Sequence, residues 1–501
     1  MLHGVRSFAS AGLLATLAVA FPVPFSTSTT AATSSSTSAS TDRLVFCHFM
    51  VGLVGDRQSS SDWDDDMINA KALGIDAFAL NIGTDDFTNT QLGYAYESAA
   101  SAGMSLFISF DFNWFATDQG STVGSIVANY AGHAAQLKVD GKPFVSSFDG
   151  DGVNIEAIRS AAGQDIFFAP NFHTEDIDFD TVDAAFNWMA WPSNGDNFAP
   201  AAGRHVSVTD GDISYLSSLS GKPYIAPMSP WFSTHYGAEV SYSKNWVFPA
   251  DMLPFHRWQE ILTLGPRFVE VITWNDYGES HYIGPLSSPH TDDGASKWVM
   301  DMPHDGWRDM MKPFIAAYKA GATDPSEYVT DDQLVYWYRP TPKTVDCDST
   351  DTTMSGGANN STGQFFEGKP NGWNQLADEV FVVALLKSAA TVVVQSGSNY
   401  QQTFQAPAGI SAYSVPMGIG QQKFSVTRGG QTVLSGTSLK EITDTCPCGI
   451  YNFNAYVGTL PAPTTLDQLQ PEGLSQLTAG LKTSCPANTL SVGTSTATAS
   501  G

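Results

Sequence analysis

Val271-Ile-Thr-Trp-Asn-Asp-Tyr-Gly-Glu-Ser-His-Tyr282 is the stretch on which the reading of the fold turns. An apolar run that starts at Phe268 breaks off there into polar and aromatic residues. Asp276 and Glu279 stand three apart, among Trp274, Tyr277 and His281. Apolar strands that end in acids are how an α/β barrel presents its chemistry, at the carboxyl ends of its strands. Two carboxylates amid aromatics also suit the cleavage of a glycosidic bond. One gives a proton to the leaving oxygen, and the other activates water or attacks the anomeric carbon. Taken alone, Asp-x-x-Glu reads more readily as a strand followed by a polar loop; the density of aromatics and the place in the strand series turn the reading toward function.

Working outward, residues 43 to about 320 alternate short apolar strands with amphipathic helices. The strands expected are Leu44–Met50, Ala77–Ile82, Leu106–Phe112, Phe144–Phe148, Ile166–Asn171, Phe186–Trp191, Tyr224–Met228 and Phe268–Thr273. Trp63, Met67, Ala70 and Leu73 share one helical face, with Asp64, Asp65 and Asp66 in the first turn, where the helix dipole favours them. Trp307, Met311, Phe314 and Tyr318 form the matching stripe of a closing helix. Eight strand–helix units over this length predict an α/β fold, a (β/α)8 TIM-like barrel. The sixth helix reads as weak, and the loop from Ser229 to Pro249 is long. An open doubly wound sheet fits less well, because no G-x-G-x-x-G or P-loop supplies its ligand site.

Beyond about residue 325 the period changes to that of strands, at 333–339, 379–386, 391–395, 401–405, 410–415, 422–428, 431–435 and 450–457. Gly429-Gly430 joins two of them as a hairpin. This predicts a C-terminal β-sandwich. Trp337 and Tyr338 fall within a strand and are expected in its core, and a buttressing role is favoured over polysaccharide binding. The expected organisation is a signal peptide over 1–20, a Ser/Thr-rich linker over 21–42, the barrel over 43–322, the sandwich over 323–485 and a Ser/Thr-rich tail over 486–501.

The carboxyl ends of the expected strands carry His48, Asn81, Asp111 with Trp114, Asp149, Asn171 with His173, Trp188 to Trp191, Trp231 and Trp274 to Asp276. Each residue alone has an ordinary structural explanation, a satisfied core histidine or a turn aspartate. A ring of acids, amides, imidazoles and indoles at eight strand ends is harder to explain that way. It would bond sugar hydroxyls and stack pyranose faces. No G-x-S-x-G elbow or H-E-x-x-H helix occurs, which disfavours a serine esterase and a zinc protease. Asp149 suits a carboxylate after strand four. The nearest acid after strand seven, however, is the distant Glu239, which weakens the usual retaining arrangement.

The start of the chain reads as a secretory signal, with Arg6, an apolar Gly12–Ala20 core and the small-residue site Ala18-Val19-Ala20. A net charge of −26 argues against nucleic acid and anionic membranes as partners. A monomer free of membranes is expected. Of the five cysteines, Cys47 lies in a strand and reads as a buried thiol. Cys347, Cys446, Cys448 and Cys485 are expected to form two disulfides, with Cys446 and Cys448 each bonding one of the other two. Asn359 and Asn360 begin overlapping glycosylation sequons. No cofactor or metal is implied.

RLVFCHFMVG (Arg43–Gly52), DAFALNIG (Asp76–Gly83), FISFDFNW (Phe107–Trp114), VSSFDG (Val145–Gly150) and TWNDYGESHY (Thr273–Tyr282) occur in order. Together they resemble the fungal α-1,3-glucanases, or mutanases, of glycoside hydrolase family 71, over residues 43 to about 480. The resemblance implies a secreted endo-hydrolase of α-1,3-glucan that inverts the anomeric carbon, with a (β/α)8 barrel, an accessory sandwich, and Asp276 and Glu279 as the catalytic pair. Glu279 is read as general acid, since its side chain reaches further and an aromatic setting raises a carboxyl's pKa. Asp276 is then the base, and the reverse division stays open. His48, Asn81, Asp111, Asp149 and His173 are placed in the subsites nearest the cut. Trp114 and Trp231 are candidate stacking platforms, and Asn171, Trp274, Tyr277 and His281 complete the ring.

Overall fold

A computed structural model describes residues 42–175, 179–237, 243–351, 368–470, 489–491 and 496–497. The expected signal, nearly all of the linker, Glu239, Asn359, Asn360, Cys485 and most of the tail lie outside the described residues.

The chain forms a mixed α/β fold with one curled parallel sheet and separate antiparallel sheets. The parallel strands are Leu44–Met50, Ala77–Ile82, Ser105–Asp111, Lys142–Phe148, Phe167–Pro170, Ala185–Phe186, Tyr224–Met228 and Phe268–Val271. The first strand lies between the second and the last, with Phe46 opposite Ala77 and Leu44 opposite Phe268. Nearly every residue of these strands is buried, as expected of parallel strands covered on both faces. The curl follows from side chains. Phe46 packs on Phe107, Phe144 and Phe268 at centroid distances of 5.0, 5.2 and 5.4 Å. Phe167 and Phe268, far apart in strand order, also come within 6.1 Å. At the outer edges Asp183 N donates to Phe168 O at 2.9 Å, and Asn171 Nδ2 donates to Phe186 O at 3.0 Å.

The helices cover this sheet through the stripes read in the sequence. Asp64–Leu73 buries Met67, Ala70 and Leu73, and the chain leaves it through Gly74 at φ 100°. Asp305–Ala320 buries Trp307, Met311, Phe314 and Tyr318. The expectation of a weak sixth helix is displaced by one unit. Val208–Leu219 is a full helix capped by Ser207, whereas only a 3-10 turn, Phe179–Thr181, is described between the fifth and sixth strands. The long loop after the seventh strand contains an antiparallel hairpin, Ser233–Tyr236 with Lys244–Val247.

The C-terminal strands form a four-stranded sheet (Gly409–Pro416, Glu379–Leu386, Gln333–Tyr338, Tyr456–Leu460) and a five-stranded one built on Tyr400–Ala406, Ala390–Ser396, Gln422–Arg428 and Gln431–Thr437. One apolar cluster joins them, with Tyr336 stacked on Phe424 at 4.0 Å. The other face of the four-stranded sheet turns Trp337 toward Trp307, at 6.2 Å. Strand residues alternate between these two burials, so both Trp337 and Tyr338 are core. Cys347 pairs with Cys446, Cys448 is also disulfide-bonded, and Cys47 is a buried thiol.

Candidate active site

The last parallel strand ends at Val271, and the chain turns sharply through Trp274 to Tyr282. Trp274 anchors the turn from below. Its Nε1 donates to Asp66 Oδ1 at 2.8 Å, and Asp66 is itself paired with Arg57 at 2.7 Å. Tyr277 is likewise buried, its hydroxyl donating to Pro285 O at 2.7 Å. These two aromatics hold the loop, and both rings are buried.

What they hold is a closed circuit of polar groups. Asp276 N donates to Thr273 Oγ1 at 2.9 Å, and Thr273 Oγ1 meets His281 Nδ1 at 3.1 Å. His281 Nε2 lies 2.9 Å from Glu279 Oε2, and Glu279 N donates to Asp276 Oδ1 at 3.0 Å. The other oxygen of Glu279 accepts from Lys244 Nζ, delivered by the hairpin. The side chains of Asp276 and Glu279 keep 16% and 13% of their surface, enough for a substrate atom to touch. Gly278 lets Tyr236 and Asp293 close on the loop, because a Cβ there would collide with the Tyr236 hydroxyl.

The charges divide the pair. Burial pushes Asp276 up, aided by the charge of Glu279 and opposed by His281 and Lys244. Burial alone would raise Glu279 too, but Lys244 and His281 outweigh it and hold Glu279 at about 2. The aromatic setting therefore does not raise Glu279 as the sequence reading expects, because that reading lacks the ammonium. Asp293, half-buried next to Tyr236 and Asp276, is pushed by desolvation to about 6. Asp276, Glu279 and His281 have ligand atoms within 4.8 Å of one another. That density would suit a cation, and the ammonium of Lys244 already neutralises one oxygen of Glu279.

The other expected residues separate into several groups. His48 is buried, its Nδ1 2.8 Å from Glu270 and its ring edge-on to Trp188 at 4.8 Å. Asn81 donates to Asp111 at 3.5 Å, and burial raises both Asp111 and Asp149. His173 is exposed and bonded to Asp151 at 2.9 Å. Asn171 spends its amide on Phe186 O and the Tyr215 hydroxyl. Trp114 is 68% exposed, whereas Trp231 is fully buried with Nε1 donating to Phe453 O at 2.9 Å. Trp231 is thus a core ring, and its reading as a sugar platform is corrected. The sequence reading missed Lys244, Thr273, Glu270 and Asp293, and it left Trp188 among the strand-end residues without a role.

Two apposed acids pushed in opposite directions, at the carboxyl edge of a curled parallel sheet, are an arrangement of the kind a glycoside hydrolase uses. The chain belongs to glycosyl hydrolase family 71, whose profile matches residues 41–470. It is 44% identical to a mutanase of Penicillium rubens over 83% of this chain and 89% of that protein. It is 36% identical to a glucan endo-1,3-alpha-glucosidase of Schizosaccharomyces pombe, over 84% and 95%. An ascus wall endo-1,3-alpha-glucanase of the same yeast is 27% identical over 82% and 96%. Among solved structures, an endo-alpha-mannosidase of Bacteroides thetaiotaomicron aligns with a TM-score of 0.42 at 11% identity, over 56% of this chain and 98% of that one.

Proposed function

We propose that the protein is a secreted, monomeric endo-hydrolase of α-1,3-glucan, and that Asp276 and Glu279 are its catalytic pair. The observation that carries this is the polar circuit around the two carboxyls, in a chain similar along most of its length to proteins named as a mutanase and as endo-1,3-alpha-glucan-cleaving enzymes. No described helix is long and apolar enough to cross a membrane. We read the curled sheet as a (β/α)8 barrel over residues 43–322, and the C-terminal sheets as a sandwich over 323–485.

The surrounding charges support a division of roles opposite to the one drawn from side-chain length. Asp276, whose affinity for a proton is raised by burial and by the neighbouring carboxylate, is the better placed of the two to give a proton to the leaving oxygen. Glu279, kept ionised by Lys244, polarises the attacking water. Both of its oxygens are already hydrogen-bonded, which favours action through water over direct attack on carbon, and so favours inversion. The nearest oxygens of the two carboxyls lie within 4.8 Å. Inverting carboxyl groups stand ~6.5–9.5 Å apart and retaining ones ~5–5.5 Å, so the anomer of the first product is the deciding observation. Asp149 and Asp111, the latter held by Asn81, line the neighbouring subsites, His48 lies buried against Glu270, and Trp114 offers an exposed stacking face.

The test is reducing-end release from insoluble α-1,3-glucan, with β-1,3- and α-1,4-glucans in parallel, and proton NMR of the first product. Release from the α-1,3 polymer alone, as the β-anomer, is expected. Silence on all three polymers by folded protein would leave a binding role. The α-anomer would mean that the pair works at its resting spacing through a covalent intermediate.

A further inference from the structure

Lys244 is the one basic side chain named in the circuit that does not come from the catalytic loop. It reaches Glu279 from the hairpin, in a strand whose partners are fixed by register: Lys244 opposite Tyr236, Asn245 opposite His235. Ser233 N, on the same hairpin, donates to Glu279 O at 2.9 Å, so the hairpin grips both the backbone and the side chain of the catalytic residue. The groups that act on Glu279 come from two elements. Lys244 comes from the hairpin, and His281 and Asp276 from its own loop. Asp293, from the following loop, acts on Asp276 and Lys244.

The hairpin is in turn fastened to the C-terminal part of the chain. Asn245 Oδ1 meets His235 Nδ1 at 2.8 Å, and His235 Nε2 meets Asp351 Oδ2 at 2.7 Å. Asp351 also accepts from Tyr451 N at 3.0 Å and donates its own N to Cys347 O at 2.8 Å, beside the Cys347–Cys446 disulfide. Asn371 closes the other edge, accepting from Val247 N at 2.9 Å and donating to Asn245 O at 3.1 Å. Asn245, which carries the contacts to His235 and Asn371, is the residue next to Lys244.

We propose that Lys244 is a positioning residue for the hydrolysis. Its ammonium clamps Glu279 opposite His281 and keeps it a carboxylate, and the C-terminal region takes part by holding the hairpin through Asn245, His235 and Asp351. This rests on the assignment of Asp276 and Glu279 as the catalytic pair. An opposite charge at this range moves a carboxyl's titration by ~1–3 pH units. Glu279 without it takes up a proton in the range where the enzyme would otherwise work.

The test uses the full chain and a soluble α-1,3-glucooligosaccharide, with kcat and KM measured from acidic to neutral pH. In Lys244→Met the acid limb of kcat is expected to move up by ~1–3 pH units, with KM changed far less. Lys244→Gln keeps a hydrogen-bond donor without the charge and should move the same limb. Lys244→Arg restores the charge and should return the limb toward wild type. Asp351→Asn, remote from the carboxyls, should lower kcat and move the limb in the same direction by less. An unmoved acid limb in both Met and Gln variants, with only KM raised, would overturn the role of Lys244. An unmoved limb in Asp351→Asn would overturn the role of the C-terminal anchor. A wild-type enzyme inactive on the oligosaccharide and on the polymer is a different failure, that of the underlying functional assignment.

Discussion

Glu279→Gln separates the chemical and structural roles of one side chain. The carboxyl stands at about 2 against an ordinary 4.5, with burial opposing and Lys244 and His281 prevailing. That gap corresponds to ~3 kcal/mol of native stability. The folded pKa is depressed, so this stability is fully present above pH 4.5 and is lost as pH falls through the range down to about 2. The variant lacks it. Part is recovered, because Asp276 no longer faces a carboxylate and can take over the ammonium. The expected cost is therefore ~1–3 kcal/mol at neutral pH, shrinking toward zero at the acid end. Turnover should fall by roughly 10²–10⁴, the usual worth of a positioned acid or base. Asp276→Asn, in the same assay, should lose turnover comparably but cost no stability at neutral pH, because burial already disfavours its charge. Urea unfolding of both variants across pH, beside reducing-sugar release, measures all of this. A Glu279→Gln protein with wild-type stability at neutral pH would refute the Lys244–Glu279 pair as a stabilising contact. Turnover within tenfold of wild type would remove Glu279 from the catalytic pair.

Gly278→Ala drives a methyl into the Tyr236 hydroxyl and toward Asp293, and should cost ~1–3 kcal/mol in urea unfolding together with a loss of kcat. Asp293→Asn acts with the opposite sign to Glu279→Gln. The folded pKa of Asp293 is raised to about 6, so its ionisation burdens the native state at neutral pH, and the variant should be more stable there by up to ~3 kcal/mol, an advantage that fades as pH falls through 6. Trp114→Ala removes an exposed ring and should leave stability within ~0.5 kcal/mol while raising KM on polymer more than on short oligosaccharide. A chain ending near residue 325 should fail to give soluble folded protein, because Trp337 and the carbonyl that takes up Trp231 Nε1 leave with the C-terminal part.

Much of the scaffold was legible because it rests on local pattern. Leu44–Met50, Ala77–Ile82 and Tyr224–Met228 match the expected strands end for end, being apolar runs closed by polar or turn residues. Phe186–Trp191 shrinks to Ala185–Phe186, because Asn187 turns its side chain back to cap the Met189 amide and the chain leaves the sheet. The strand expected at 450–457 instead runs from Tyr456 to Leu460, and the buried stretch before it is spent on contacts with Tyr282, Trp298 and His304. The two acids proposed as the catalytic pair were visible because one loop carries both. Lys244 was not, since its partner lies 35 residues away and Lys-Asn-Trp-Val has no signature beyond a short alternating strand. The same blindness misplaced Trp231, whose partner Phe453 is 222 residues distant, and reversed the expected direction of Glu279's pKa.

Those long-range contacts converge on one architectural point. Trp231, His304 and His235 all sit on the parallel-sheet part of the chain, and all reach polar groups on the C-terminal part: Phe453 O, Asn454 with Ala455 O, and Asp351. Each is buried, so each partner removed would leave a desolvated donor or acceptor at ~1–3 kcal/mol. A module that served only to bind polysaccharide would have no need to satisfy groups beneath the catalytic loop. The four-stranded sheet turns one face to its companion sheet and the other to Trp307, so it has little apolar surface left for a ligand. The C-terminal part thus packs beneath the hairpin and loop that bring Lys244 to Glu279 and satisfies their buried polar groups.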